Sequence, residues 1–387
     1  MLLFLLVAGP AQAETDTADL SDETLLLRIW NETAPHSDWF ALSFRTAVPM
    51  TRLRPALKEL KTTYGPAEQV SKSTQSRNFA LSTATHDVTI RLFRSGNGQI
   101  TGFEIKDIQQ SGTLKDLLQK LPRFAERSSY LLTKNGEIVA SHAPSEKLAV
   151  GSAFKLFVLD ALAMKVEAGE IEWSSVLTLN KFHKSLPSGT LHTWPDGHHV
   201  TVETAAALMI SISGNTATDL LMSQLPLAQL EKISEQVPFL TTRQFFQLKA
   251  SDEEASEYLS GGLSEKRRIL AELGGRPAPD PGDVNNGYQH GLEWYTAVPS
   301  LCKVISKVRD LPVFKINPGQ AKPADWKTIA FKGGSETGVL NLTYHLTAHN
   351  GTKWCFVATW NSPEALDENA ILAVSSGILN RIARTSE

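Results

Sequence analysis

The sequence predicts an α+β protein in two parts: a small α+β domain, then a larger domain with helices flanking an antiparallel sheet and a helical subdomain inserted into it. Three observations predict this. Strand-type segments cluster near both ends of the second part, at 129–133 and 137–142, and again at 327–332, 339–347 and 353–360. The sequence between those clusters is mostly helical in pattern up to about Val308. Asn135-Gly136 and Asn350-Gly351 each join two of the segments, the pairing expected of antiparallel hairpins.

The first part is expected over residues 14–110. Helical patterns around 25–30 and 50–64 stop before Gly65-Pro66, and β-type segments follow at 78–82, 87–93 and 100–105. Helices followed by a meander read as α+β. Ser95-Gly96-Asn97-Gly98 is a turn, and Gln109-Gln110-Ser111-Gly112 is a polar stretch where a linker is expected. The second part, residues 111–387, opens with a helix at 114–121 and closes with one from about Leu366 to Arg384. It contains no internal repeat.

The chain has 387 residues, 42% hydrophobic and 20% charged, which is globular composition with length for about two or three domains. A net charge of -3 with no basic stripe argues against general nucleic-acid binding. Met1 to Pro10 is an apolar run ending in Ala11-Gln12-Ala13, which reads as a signal peptide over residues 1–13 and sends the protein to the periplasm or outside the cell. The basic start of such a leader is missing, which a start recorded too late would explain. The run is too short to span a bilayer, and no other membrane span is expected. Cys302 and Cys355 could pair in an oxidising compartment or be two small buried hydrophobes.

The chemistry begins at Lys155. It stands in Gly151-Ser152-Ala153-Phe154-Lys155-Leu156-Phe157-Val158-Leu159, part of a helical stretch that is apolar on every side and therefore buried. A buried ammonium finds partners or lowers its pKa until it is neutral, and a neutral lysine is a base. Ser152, three residues earlier, is in reach as an activated nucleophile. A second motif, Ser213-Gly214-Asn215, interrupts two helical patterns and turns Ser213 and Asn215 toward whatever the break lines. The third, Phe331-Lys332-Gly333-Gly334-Ser335, puts glycines at a strand end, where they fit a close backbone or ligand approach, beside a cation suited to a carboxylate. Alone, each has an ordinary structural reading: a snorkelling lysine, a helix connector, a glycine bulge.

Taken in this order, the three motifs resemble those of the active-site serine penicillin-recognising enzymes, most closely the class A β-lactamases with their Ser-x-x-Lys, Ser-Asp-Asn and Lys-Thr-Gly. The approach from Pro195 to Thr201 and the stretch Trp294-Tyr295-Thr296-Ala297 extend the resemblance to roughly Ser111–Glu387. The two-part layout is similar to a divergent subgroup that includes a lactamase-like protein of clavulanic-acid gene clusters, with a cystatin- or isomerase-like domain in front. The resemblance implies a β-lactamase/transpeptidase-like fold and acyl transfer without cofactor or metal. Ser152 would attack the carbonyl of a small-molecule β-lactam or related acyl donor, Lys155 would accept its proton, and Ser213 would relay one to the leaving nitrogen. The N–H groups of Ser152 and Ser335 would form the oxyanion hole. Asn215, Lys332, Gly333, Gly334 and Ser335 would bind substrate, with Trp194 on the entrance wall unless it is a plain surface tryptophan.

The sequence also departs from that pattern. Class A enzymes hydrolyse the acyl-enzyme with an omega-loop glutamate, whereas Gln244-Phe245-Phe246-Gln247-Leu248-Lys249 holds no carboxylate. Glu253 and Glu254 read as a solvated helix start, and Glu336 as a solvated strand end. Gly214 replaces an aspartate and Gly333 a threonine; loss of the threonine hydroxyl weakens the hold on a substrate carboxylate and opens the pocket toward neutral esters. His192, His198 and His199 lack metal-ligand spacing. An esterase, a D-Ala-D-Ala peptidase, a β-lactam-binding sensor with little turnover and an inert binding protein remain as alternatives.

Overall fold

The structure is a computed structural model that describes residues 17–72, 77–285 and 287–385; the leader expected at 1–13 lies outside them. Contacts divide the chain into two compact units, Met1–Thr113 and Leu114–Glu387.

In the first unit, Ser21 caps helix α1 (Asp22–Asn31) by accepting from Thr24 N at 3.2 Å, as a serine N-cap does. Leu25, Leu26, Ile29 and Trp30 form the buried stripe of that helix. Helices α2 (Leu42–Ala47) and α3 (Met50–Tyr64) follow, then strands β1 (Ala67–Lys72), β2 (Asn78–Thr83), β3 (His86–Arg94) and β4 (Ile100–Gln110) in an antiparallel meander. Phe79, Leu81, Val88, Ile90 and Ile100 pack with the α1 stripe into one core. Strand β1 was not anticipated, because on this bulged edge only Ala67 and Val70 are buried and no alternation is visible. Strand β4 runs through Gln109 and Gln110, so the expected linker is in part strand.

The second unit starts with α4 (Leu114–Lys120), β5 (Arg127–Lys134), β6 (Glu137–His142) and β7 (Leu148–Ala149). A helical region then carries α5 (Lys155–Glu167), the small ribbon β8 (Val176–Thr178) and β9 (His199–Thr201), α6 (Val202–Ser211) and α7 (Asn215–Met222). It continues through α8 (Leu227–Ser234), α9 (Thr242–Lys249), α10 (Asp252–Ser260) and α11 (Leu263–Gly274) to β10 (Tyr295–Thr296), which pairs with β7, and α12 (Val298–Val308). Strands β11 (Thr328–Glu336), β12 (Val339–Thr347) and β13 (Lys353–Asn361) and helix α13 (Glu368–Arg384) complete it.

The main sheet has the antiparallel order β11-β12-β13-β5-β6, so strands from both ends of the unit meet at β13 and β5. The near-continuous apolar run of β13 follows from burial on both faces. Phe356, Ala358 and Trp360 face the core of α4 and α13, while Cys355 and Val357 face that of the helical region. Cys302 of α12 is joined to Cys355 in a disulfide, the pairing that spacing alone left open.

Phe356 is fully buried at this junction. Phe356→Ala should cost about 3–5 kcal/mol of stability from lost transfer energy and the cavity left behind. Urea denaturation measures the loss, and a change below about 1 kcal/mol would show that the junction does not carry the core.

Candidate active site

The nucleophile candidate sits on a tight turn. Residues Gly151–Phe154 form one stretch of 3-10 helix, and the α-helix begins only at Lys155, so the expected helical Ser152 stands one turn ahead of it. Gly151 has φ +47, and Val150 N donates to Trp294 O at 3.0 Å. Strand β11 presses onto this turn. A Cβ on Gly334 would stand 2.1 Å from Val150 O and 2.6 Å from Ser152 N, so only glycine allows the approach. The N–H groups of Ser152 and Ser335 thereby meet at one backbone contact, since a Cβ on Gly151 would lie 3.1 Å from Ser335 N.

Lys155 is fully buried, and its Nζ lies 3.0 Å from Ser152 Oγ, 2.5 Å from Ser213 O, 3.2 Å from Ser213 Oγ and 2.6 Å from Asn215 Oδ1. Burial first, then the charge of Lys332, holds its pKa well below the ordinary lysine value, against the pull of Asp219. A neutral amine has two N–H donors and one lone pair. Ser213 O and Asn215 Oδ1 can only accept, so they take the donors and leave the lone pair for a hydroxyl proton.

The middle motif delivers both of those acceptors. Ser213 follows the end of α6 with φ +58, a conformation that side chains disfavour. Helix α7 begins at Asn215, with Gly214 as its N-cap and no side chain capping it. Gly189 closes onto this helix start: a Cβ on Gly189 would stand 2.4 Å from Gly214 Cα, whereas a Cβ on Gly214 itself would come no nearer than 3.3 Å, to Leu208 O. Ser188 Oγ donates to Ser213 O at 2.6 Å, and Asn215 Nδ2 to Leu186 O at 2.9 Å.

A cavity of about 350 Å³ opens beside this cluster. Of the expected residues, Ser152, Asn215 and Ser335 line it, and Gly151 with them. Lys332, Gly333, Gly334 and Trp194 do not. Lys332 is 3% exposed, and its Nζ turns inward to Ser213 Oγ at 3.0 Å instead of toward a substrate carboxylate. Gly333 abuts the Phe331 ring and Asn341 O, and Gly334 is covered by the nucleophile turn. Trp194 packs on the core with its ring edge-on to His198, 5.9 Å between centroids. Among the described residues, no group of three or more His, Cys, Asp or Glu could hold a metal ion. Nor is any helix among them long and apolar enough to cross a membrane.

The far wall holds a cluster that the sequence did not reveal. Helix α9 begins in a capping box between Thr241 and Gln244, and Asp219 accepts from Thr242 N at 2.8 Å and Arg243 N at 2.9 Å. Burial pushes the Asp219 carboxyl up to about 6 against those bonds. So anchored, α9 brings Phe245, Phe246 and Lys249 to the cavity. The buried Lys249 Nζ lies 2.7 Å from Glu336 Oε2 and 3.5 Å from Glu293 Oε1, and both glutamates line the cavity. Glu336 is therefore ion-paired rather than the solvated strand end expected. Glu254 pairs with Arg276, and Glu253 lies exposed in the first turn of α10. Lys249 was detectable, standing at helical spacing from Phe245 on a buried face; Glu293 had no local pattern.

The profile of the Beta-lactamase enzyme family matches residues 113–266. Residues 114–387 have a class A β-lactamase-like fold. This β-lactamase-like unit is similar to an ancestral (GNCA) class A β-lactamase at 15% identity and TM-score 0.50, covering 70% of this chain and 100% of that one. It is also similar to a β-lactamase from Xanthomonas campestris pv. campestris at 15% identity and TM-score 0.50, covering 70% and 96%. A β-lactamase from Sphaerobacter thermophilus aligns at 19% identity and TM-score 0.49, covering 70% and 95%. No curated protein matches the chain.

Burial lowers the Lys332 amine of the β-lactamase-like unit from 10.5 to about 7. Between those values the unfolded chain keeps a proton that the folded chain has released, so raising the pH favours the folded state. Stability should climb between about pH 7 and pH 9. Lys332→Met should remove part of that climb, with Lys155 supplying a contribution of the same sign. Urea denaturation across that range tests it, and an unchanged slope in the variant would contradict the shift.

Proposed function

We propose that the protein is a serine hydrolase acylated at Ser152 by β-lactams or related acyl substrates. One observation carries the reading: Lys155 Nζ lies 3.0 Å from Ser152 Oγ while two carbonyl-type oxygens occupy its N–H groups. As Ser152 Oγ attacks the substrate carbonyl carbon, its proton passes to the Lys155 lone pair. Ser213 Oγ, 3.2 Å from Lys155 Nζ and 3.0 Å from Lys332 Nζ, is placed to hand a proton on to the leaving nitrogen or oxygen. The N–H groups of Ser152 and Ser335 suit the developing oxyanion, for which each donor contributes about 3 kcal/mol. Export from the cytoplasm belongs to the same proposal, supported by the apolar leader and by a disulfide that needs an oxidising compartment.

A second reading, hydrolysis of neutral esters, has its own support. Lys332 is turned inward to Ser213, and Lys249 on the cavity wall is paired with Glu336, so among the described residues a substrate carboxylate finds no free ammonium in the cavity.

Incubation of the purified protein with nitrocefin and with a p-nitrophenyl ester, followed by absorbance and intact mass, separates the two readings. Ser152→Ala should abolish turnover and adduct alike, a fall of at least about 10³-fold. Full activity in that variant would sink the assignment. Turnover of the ester alone would favour the second reading.

A further inference from the structure

The omega-loop stretch of this chain holds no carboxylate, yet the cavity does. Glu293 and Glu336 line the same space as Ser152, and the chain segments carrying them touch the turn of the nucleophile. Trp294, next to Glu293, accepts from Val150 N at 3.0 Å and stacks on Phe154 with 3.9 Å between ring centroids. Gly334, two residues before Glu336, is the point at which β11 presses against Ser152 N. Alternate residues of a strand share a face, so Glu336 leaves β11 on the face of Gly334, about 7 Å further along. A carboxylate starting there opens into the cavity that Ser152 also lines.

The electrostatics of the group distinguish its members. One ammonium, Lys249, faces two carboxyl groups, while both oxygens of Glu293 and Oε1 of Glu336 are buried without a hydrogen-bond partner. Two buried carboxylates against one cation would leave a net negative charge out of water, which is costly. A proton on Glu293 removes the conflict and supplies an O–H for Glu336. Burial first, then the hydrogen bond and charge of Glu336, hold the Glu293 carboxyl well above the ordinary carboxylate range. Glu293 has no side-chain exposure, whereas Glu336 keeps 17%, so Glu336 is the member that a water in the cavity meets.

We propose that Glu336 is the general base that activates water to release the acyl group from Ser152, with Lys249 and Glu293 as its positioning residues. This rests on the serine hydrolase reading above. Water attacks the ester carbonyl carbon, the new C–O bond forms, and one water proton passes to the Glu336 carboxylate. On collapse the bond from that carbon to Ser152 Oγ breaks, and Oγ takes up the proton, restoring Glu336. The second water proton leaves with the product acid. Lys249 fixes one Glu336 oxygen at 2.7 Å, and the neutral Glu293 hydrogen-bonds the carboxylate without adding a second charge.

The test uses the full chain, with nitrocefin and a p-nitrophenyl ester as probes. Intact mass is followed through time for the wild type, Glu336→Gln and Ser152→Ala. Glu336→Gln should acylate within about 3-fold of the wild-type rate but deacylate about 10²–10³-fold more slowly, so the Ser152 adduct accumulates. Hydroxylamine, which attacks esters without a base, should then discharge both proteins at similar rates, a rescue that a merely structural defect would not give. Deacylation of Glu336→Gln at the wild-type rate, or failure of hydroxylamine to discharge its adduct, overturns the assignment. Should Glu336→Gln not fold, Glu336→Asp is read in its place, with slower deacylation expected and an unchanged rate overturning. A wild type that forms neither adduct nor product with either probe overturns the hydrolase reading itself, and this inference falls with it.

Discussion

The candidate site depends on a lysine amine kept out of water. Lys155 opens a buried helix with apolar residues on either side of it, and apart from Ser152 Oγ the oxygens that reach it come from the α6–α7 break. Removing the charge from water is costly, and satisfying the donors with two acceptors is what makes the burial tolerable. The same satisfaction turns the lone pair toward Ser152. One constraint therefore fixes the protonation of the base, the position of Ser213 and the rotamer of Asn215.

Glycine and cation then divide the remaining work. Gly334 lets β11 lie against the nucleophile turn, and Gly189 lets the 185–190 loop lie against the start of α7. Lys332 is drawn to Ser213 and helps to depress Lys155. Lys249 gathers two carboxyl groups on the opposite wall. Two buried amines thus stand behind Ser213 and two carboxyls stand on the cavity wall, with Lys332 lowering Lys155 and Glu336 raising Glu293.

Much of this was legible in local spacing. Strands β12 and β13 and helix α3 stood out by periodicity and punctuation, and Ser152, Lys155, Ser213 and Asn215 by motif order. Strand β1 and helix α2 were not, since an exposed edge and a six-residue helix carry almost no periodic signal. Lys332 was read as a cation facing a substrate carboxylate, and nothing in the strand told that it points inward to Ser213. The Lys249, Glu293 and Glu336 cluster was invisible for a different reason. Its members come from a helix, a loop and a strand end brought together only by the tertiary fold, so no window of sequence contains them.

Ser213 holds a further consequence. Its left-handed backbone costs on the order of 1 kcal/mol that a glycine would not incur. Drift toward a sturdier protein would favour replacing it, and the replacement would be chemically mute. Stability and the hydroxyl that links Lys155 to Lys332 thus pull this position in opposite directions, so a glycine here would trade the buried polar network for a sturdier fold.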